Sequence, residues 1–220
     1  MSFLKRKIWS MALVVLCSFS VLLGLSSQAH SAATAEQSQV LQIFQQLSAT
    51  PLVRANFEQK KQLAALNKTF VSKGTILFSK NQGVLWGIQQ PVRADLIVTP
   101  QKIVQKTQRT HSQIEVGSSP YASVATMFLQ LMAGDRSALE KNFNVVSARY
   151  TAAQWNVALT PKSNLFKKLF VRVDAQGQRF VNRLVITEKD NSTTTIVFSQ
   201  QSAQPQTLTA AEHALFQLAK

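Results

Sequence analysis

The chain has 220 residues, one cysteine, and 24 Lys and Arg against 10 Asp and Glu, a formal net charge of +14. One cysteine excludes an internal disulfide, and a chain of this length buries a full core without such staples. The basic excess calls for an anionic counterpart: nucleic acid, lipid headgroups or an acidic protein surface.

The first stretch narrows that choice. Lys5-Arg6-Lys7 precedes an apolar run from Met11 to Leu25, and Ser26-Ser27-Gln28-Ala29-His30-Ser31-Ala32 follows. Basic, apolar and small residues in that order form a secretory signal peptide over residues 1–31, with cleavage expected after Ala29 or Ser31. An uncleaved anchor would need about 20 apolar residues, more than the run offers. Cys17 lies within the run behind Leu16, whereas a lipid-modified cysteine needs a small residue before it at the end of the run, so lipidation is not expected. The mature domain, residues 32–220, then has no thiol and, with Lys5, Arg6 and Lys7 removed, 21 bases against 10 acids. Export takes it away from most nucleic acid, leaving lipid headgroups and acidic proteins as the counter-charge.

The mature chain opens with a helix, because Val40, Leu41, Phe44 and Leu47 recur at helical spacing among Gln and Ser, and Pro51 ends it. Val53, Ala55 and Phe57 alternate with Arg54, Asn56 and Glu58, the period-two pattern of a strand with one dry face. A polar turn at Asn67-Lys68 leads to a second strand in which Gly74, Ile76 and Phe78 share a side. Val71 and Leu77 make the other side apolar too, so pattern alone does not say which faces inward. Gly74 within a strand predicts a bend or a close backbone approach. Lys80-Asn81-Gln82-Gly83 reads as a hairpin before Val84-Leu85-Trp86, and Pro91 as a turn before Ala94 to Thr99.

Further strands are expected at Lys102 to Thr107 and Ser112 to Val116. Past Gly117-Ser-Ser-Pro120, the stretch Tyr121 to Met132 predicts a helix too apolar for solvent. Its stripe of Val124, Phe128, Leu131 and Met132 suits a lid over the sheet. Gly134-Asp135 ends that helix and Ser137 to Lys141 adds a turn. Strand-like runs resume at Phe143 to Tyr150, Trp155 to Thr160, Leu169 to Asp174, Phe180 to Thr187 and Thr193 to Ser199, with turns at Gln176-Gly177 and Asp190-Asn191. Thr209, three residues before Glu212, marks a capping box and a last helix to Leu218. The expected fold is α+β: one strongly curved antiparallel sheet of about eleven strands, an unclosed barrel, with helices covering its concave face.

Few residues offer chemistry. His111 and His213 have no second ligand at metal spacing, and neither a nucleophile elbow nor a phosphate-cradling glycine loop occurs. Glu58 and Asp95 read as partners of Arg54 and Arg93 on a wet face rather than as general acids. Lys60, Lys61, Lys73 and Lys80 line the rim, where they solvate the face or meet an anionic partner. No catalytic residue, metal or cofactor is expected. Phe57, Ile76, Phe78, Val84, Trp86 and Trp155 are the candidates for an apolar groove. An acyl chain of about sixteen carbons, at ~0.8 kcal/mol per CH₂, would gain roughly 12 kcal/mol there before ordering costs.

Several signals in order are similar to the periplasmic lipoprotein carrier family, the LolA type and its outer-membrane relative LolB. They are Phe57-x-Gln59-Lys60, Gly74 with Trp86, Pro91 followed by Val98-Thr-Pro-Gln-Lys-Ile103, the Met127-Phe128-Leu129 insert, Leu159-Thr-Pro-Lys162, and the hairpin from Gly177 to Ser199. The resemblance implies an eleven-stranded unclosed barrel with a helical lid. It implies too a monomeric periplasmic carrier that takes an acylated lipoprotein, or another lipid, from an inner-membrane donor to an outer-membrane acceptor, with no nucleic acid involved. Where such carriers have Arg-Pro after the glycine, Lys80-Asn81 stands here, so Lys80 is the possible lid latch, without the planar fork of Arg. The chain also ends at Lys220, without the longer tail of some carriers. An envelope binding or assembly protein without lipid cargo is the alternative, and an exported lipid hydrolase a further one.

Overall fold

The computed structural model describes residues 27–107, 110–115 and 134–220. Helix α1, Ser27–Ser48, starts in one unit of the chain, Met1–Ser38, and continues in the second, Gln39–Lys220, which holds everything else described. Val40, Ile43, Phe44 and Leu47 make its buried stripe at spacings of three, one and three, while Leu41 is 37% exposed. Ile43 thus takes the place expected for Leu41, because a residue one step from Val40 points about 100° away on a helix. Thr50-Pro51 follows; the residue before a proline avoids the helical region.

Eleven strands form one antiparallel sheet. They are β1 (Leu52–Leu63), β2 (Lys68–Ser79), β3 (Gly83–Gln90), β4 (Ala94–Val98), β5 (Lys102–Thr107), β6 (His111–Glu115), β7 (Phe143–Tyr150), β8 (Trp155–Pro161), β9 (Phe170–Gly177), β10 (Val181–Glu188) and β11 (Thr193–Ser202). The order is β6-β5-β4-β3-β2-β1-β11-β10-β9-β8-β7, so β6 and β7 are free edges and the sheet does not close. Every neighbouring pair but one is consecutive in sequence; the exception is the seam between β1 and β11, where Phe57 faces Phe198. Short helices α2 (Arg136–Asn142) and α3 (Asn164–Lys167) flank β7 and precede β9, and α4 (Ala210–Gln217) follows the last strand. Among the described residues no helix is long and apolar enough to cross a membrane.

One face of this sheet gathers into a single apolar cluster. Phe57 of β1, Phe78 of β2, Val84 of β3, Ile103 of β5, Val157 of β8 and Phe198 of β11 all belong to it, together with Val40, Ile43 and Phe44 of α1. In a flat sheet, β5 and β8 would lie eight strand spacings apart, about 38 Å. A helix about 10 Å wide can share one core with both only if the sheet curls around it. Gly74 supplies part of the curl. A Cβ there would sit 1.9 Å from the carbonyl oxygen of Gly87, and the β2–β3 register slips between Lys73 and Gly74.

On the opposite face the described residues form a second, smaller apolar cluster. Leu52, Leu77, Leu85, Ile97 and Val104 meet Phe216 and Ala219 there, so α4 packs on the outside of the sheet while α1 packs on the inside. Helices were expected over the concave face, and α4 on the outer face adds to that arrangement. Outward-facing Leu77 and Leu85 explain the difference, since an apolar patch on the outer face needs its own cover.

Candidate binding groove

The inner face brings together all six residues read as groove candidates. Phe57, Ile76, Phe78, Val84 and Trp155 are buried, and Trp86 is half-buried against them. Alternation places them there, because Val53, Ala55 and Phe57 pair with Phe78, Ile76 and Gly74, and cross-strand partners share a face. The Trp86 ring lies 4.5 Å from Phe57 and 6.4 Å, edge-on, from Phe198, a geometry aromatic quadrupoles favour. Trp155 stands toward the other edge, 2% exposed, with its Nε1 hydrogen unpartnered in the core. Its ring lies against Gly177, where a Cβ would come within 2.6 Å of the indole. A second aromatic group, Phe143 on Phe166 at 5.6 Å and Phe166 on Phe170 at 6.1 Å, floors the end near α3.

Sequence reading overlooked the aliphatic half of this surface. Val98, Ile103, Leu184 and Ile196 line it as fully as the aromatic residues do. The signal was weak, since Val185 stands between Leu184 and Ile186 and Val197 between Ile196 and Phe198, so these runs do not alternate with polar neighbours.

Among the described residues the inner face keeps little open apolar space beside α1. A cavity of 40 Å³ remains between Leu47, Val53, Ile76, Phe78, Val181 and Phe198. An apolar cavity of about 150 Å³ is what a benzene-sized guest occupies, so an acyl chain fits only if something moves out. Helix α1 is the element packed there, and mostly neutral groups tie it down. The Tyr150 hydroxyl donates to Gln46 Oε1 at 3.0 Å, and the Tyr150 amide to Gln39 Oε1 at 3.0 Å. Gln46 Nε2 donates to the carbonyls of Gln178 and Arg179. Lys80, read as a latch, reaches from the β2–β3 turn to the carbonyl of Ser48 at 3.4 Å, the C-terminal end of α1, where a cation suits the helix dipole. Gly134 also abuts that end: at φ +77, a Cβ on it would lie 2.8 Å from the Phe44 carbonyl. The lid candidates Val124, Phe128, Leu131 and Met132 lie outside the described residues.

The charges pair differently from the expectation. Glu58 binds Lys73 at 2.7 Å and Lys60 at 3.1 Å, and hydrogen bonds from these two ammonium groups, Lys73 foremost, hold its carboxyl below the usual range. Lys61 pairs with Glu188. Arg54 turns to the outer face, where Nε and Nη2 each meet Glu212 at 2.7 Å, while Nη1 and Nη2 donate to the carbonyls of Pro205 and Thr207. Glu212 is pulled down to about 2, first by the hydrogen bond from Arg54 and further by the Thr209 backbone amide of the capping box, against the opposing cost of burial. Asp95 forms no ion pair with Arg93 among the described residues; it borders outer-face hollows of 350 and 430 Å³ beside Thr75 and Gly87. His213 neighbours Gln217 on α4, and no group of three metal-ligating side chains occurs among the described residues.

An open antiparallel sheet curled around an apolar interior is an unclosed β-barrel. The model of the family described as outer membrane lipoprotein carrier protein LolA matches residues 48–217, from the end of α1 to the end of α4, and the chain belongs to that family. No curated protein matches the sequence. Among solved structures, a LolA superfamily protein from Nitrosomonas europaea is similar at 8% identity over 74% of this chain and 93% of that one, with a TM-score of 0.43. A DUF1329 family protein from Desulfovibrio piger gives 10% identity over 80% and 96%, with a TM-score of 0.47. LprF from Mycobacterium bovis gives 14% over 80% and 98%, with a TM-score of 0.37. Likenesses at this level add nothing to the family assignment, which stands on the family model.

Proposed function

We propose that the protein is a soluble, non-enzymatic periplasmic carrier. It shields the acyl chains of a lipoprotein, or of another acylated lipid, in the inner groove between an inner-membrane donor and an outer-membrane acceptor. The observation that carries this reading is the apolar inner face, continuous from β5 across the seam to β8, in a sheet whose two edges are free to part. In this reading residues 1–31 are a signal peptide and residues 32–220 the working domain, and intact-mass measurement of the exported protein tests the boundary.

The energetics suit a carrier that must also release. A sixteen-carbon chain gains roughly 12 kcal/mol on burial. Expelling Val40, Ile43, Phe44 and Leu47 of α1 forfeits about 1.5–3 kcal/mol each, roughly 6–12 kcal/mol together, so the exchange leaves at most a few kcal/mol before ordering costs. Cargo and helix compete for the same surface with similar strength.

Mass spectrometry of organic extracts of the purified protein tests the cargo directly. An acyl probe added to a variant with Trp155 replaced should change Trp86 fluorescence, and no change would remove Trp86 from the groove. A second reading, an envelope assembly protein with a permanently closed core, draws on the 40 Å³ cavity. It predicts neither extractable lipid nor probe binding.

A further inference from the structure

We propose that the tip of the β1–β2 hairpin docks the protein on an anionic lipid bilayer by inserting into its interface. The hairpin outreaches β3 on one side; on the other it runs level with the β10–β11 turn, where the Ala64 amide donates to Ser192 Oγ at 3.3 Å. β1 and β2 stay paired to Leu63 and Lys68, but β3 leaves β2 at Lys73, opposite Gln90, and β11 leaves β1 at Gln62, opposite Thr193. Residues 68–72 therefore overhang β3 by about 17 Å.

The overhang is exposed and apolar. Residues 64–71 all face solvent, and five of these eight are Ala64, Ala65, Leu66, Phe70 and Val71. Leu66 is 59% exposed, Phe70 55% and Val71 41%, so over half the accessible surface of the two largest meets water. Exposed large side chains clustered on a projecting tip mark a contact site.

The directions of these side chains select the partner. Phe70 lies on the side of the ribbon that carries Gly74 and Ile76, Val71 lies on the other, and Leu66 is in the 3₁₀ turn Ala64–Leu66 at the end. A folded protein partner or an added peptide strand would cover one side or one edge. A bilayer interface meets the end turn and both faces of the ribbon at once, and it is the partner that buries all three.

Charge agrees. From residue 58 to 73 the hairpin has Lys60, Lys61, Lys68 and Lys73 against Glu58 alone. Lys68 stands at the tip without an ion pair among the described residues, and Lys60 and Lys73 share one carboxylate. These lysines sit level with or behind the apolar tip, where aliphatic stems follow the apolar phase and ammonium groups stay among headgroups. The inference needs no cargo, and the acyl-probe experiment can fail without touching it.

Cosedimentation of the full protein with large unilamellar vesicles tests it, using phosphatidylglycerol and phosphatidylcholine in equal parts against pure phosphatidylcholine. Binding is expected to the anionic vesicles, weakened about fivefold by Lys68→Gln and about tenfold or more by Leu66→Ser with Phe70→Ser, with unchanged melting temperatures. Phe70→Trp should shift its emission to the blue on the anionic vesicles. No binding, equal binding to both vesicle types, an unaffected double variant, or no emission shift would each overturn the proposal. Capture of a protein or peptide partner in place of vesicles would be one such failure.

Discussion

The two faces of the sheet each carry a helix, held by different forces. On the inside, α1 lays Val40, Ile43, Phe44 and Leu47 into a broad apolar cluster, and its polar ties are amide and hydroxyl bonds of Gln39, Gln46 and Tyr150 with one long bond from Lys80 to its last carbonyl. On the outside, α4 covers a much smaller cluster but is clamped by Arg54, which holds Glu212 through two bonds of 2.7 Å and the preceding loop through two carbonyls. Apolar burial has no preferred direction, so another apolar body can replace α1. A bidentate charged pair demands one geometry. The outer helix is fixed by a charged pair, whereas the proposed cargo would compete with the apolar contacts of the inner one.

Four perturbations would break or sharpen that contrast. Phe57→Ala, at the centre of the inner cluster against Trp86, should cost about 3–5 kcal/mol in urea denaturation, and a cost near zero would mean that the inner face is not a packed core. Arg54→Ala strands Glu212, whose side chain is 19% exposed in the parent, and should cost about 2 kcal/mol after allowance for its partial exposure, while acyl-probe affinity stays unchanged. A parallel change in affinity would show that the faces are coupled.

Acid should reach the outer face through the same pair. The Glu212 carboxyl is depressed in the folded protein, to about 2, so its stabilising contribution is complete above the ordinary glutamate pKa of about 4.3. It fades as pH falls from there toward 2. Melting temperatures over that window should fall less steeply in Arg54→Ala than in the parent, and identical slopes would remove the pair from the account. Lys80→Met is the mildest change. It takes a cation from the end of α1, costs about 0.3–1 kcal/mol, and should tighten acyl-probe binding by up to about fivefold, seen as a shift in a fluorescence titration.

Much of this was legible because alternation and turn chemistry are local. The strand from Leu52, the hairpin at Gly83, the capping box of Thr209 with Glu212 and the close approach at Gly74 follow from residues within a few positions of one another. The inner side of β2 was ambiguous for a physical reason: Ile76 and Phe78 belong to one core, Leu77 to another, and α4, which makes the second core, lies more than a hundred residues away. Arg54 was read with Glu58, but four residues along a strand span about 13 Å, beyond reach of an ion pair. Its true partner is set by where the C-terminal helix docks, which no local pattern encodes. Of the α1 stripe, Val40, Phe44 and Leu47 were read and one member was not, because Leu41 and Ile43 are similarly apolar and only the packing of Ile43 against the sheet distinguishes them.

The seam between β1 and β11 also governs the order in which the molecule can assemble. On either side of it, strands β1 to β6 and β7 to β11 follow each other through neighbours in sequence, contacts that a chain finds early. The seam joins Phe57 to Phe198, so its loop-closure entropy must be met before that pairing gains anything. Two meanders should therefore form first and zip together last, and substitutions at the seam should speed unfolding more than they slow folding. Phe198→Ala in a chevron experiment, with its effect confined to the unfolding arm, is the expected signature; a loss confined to the folding arm would place the seam in the nucleus instead.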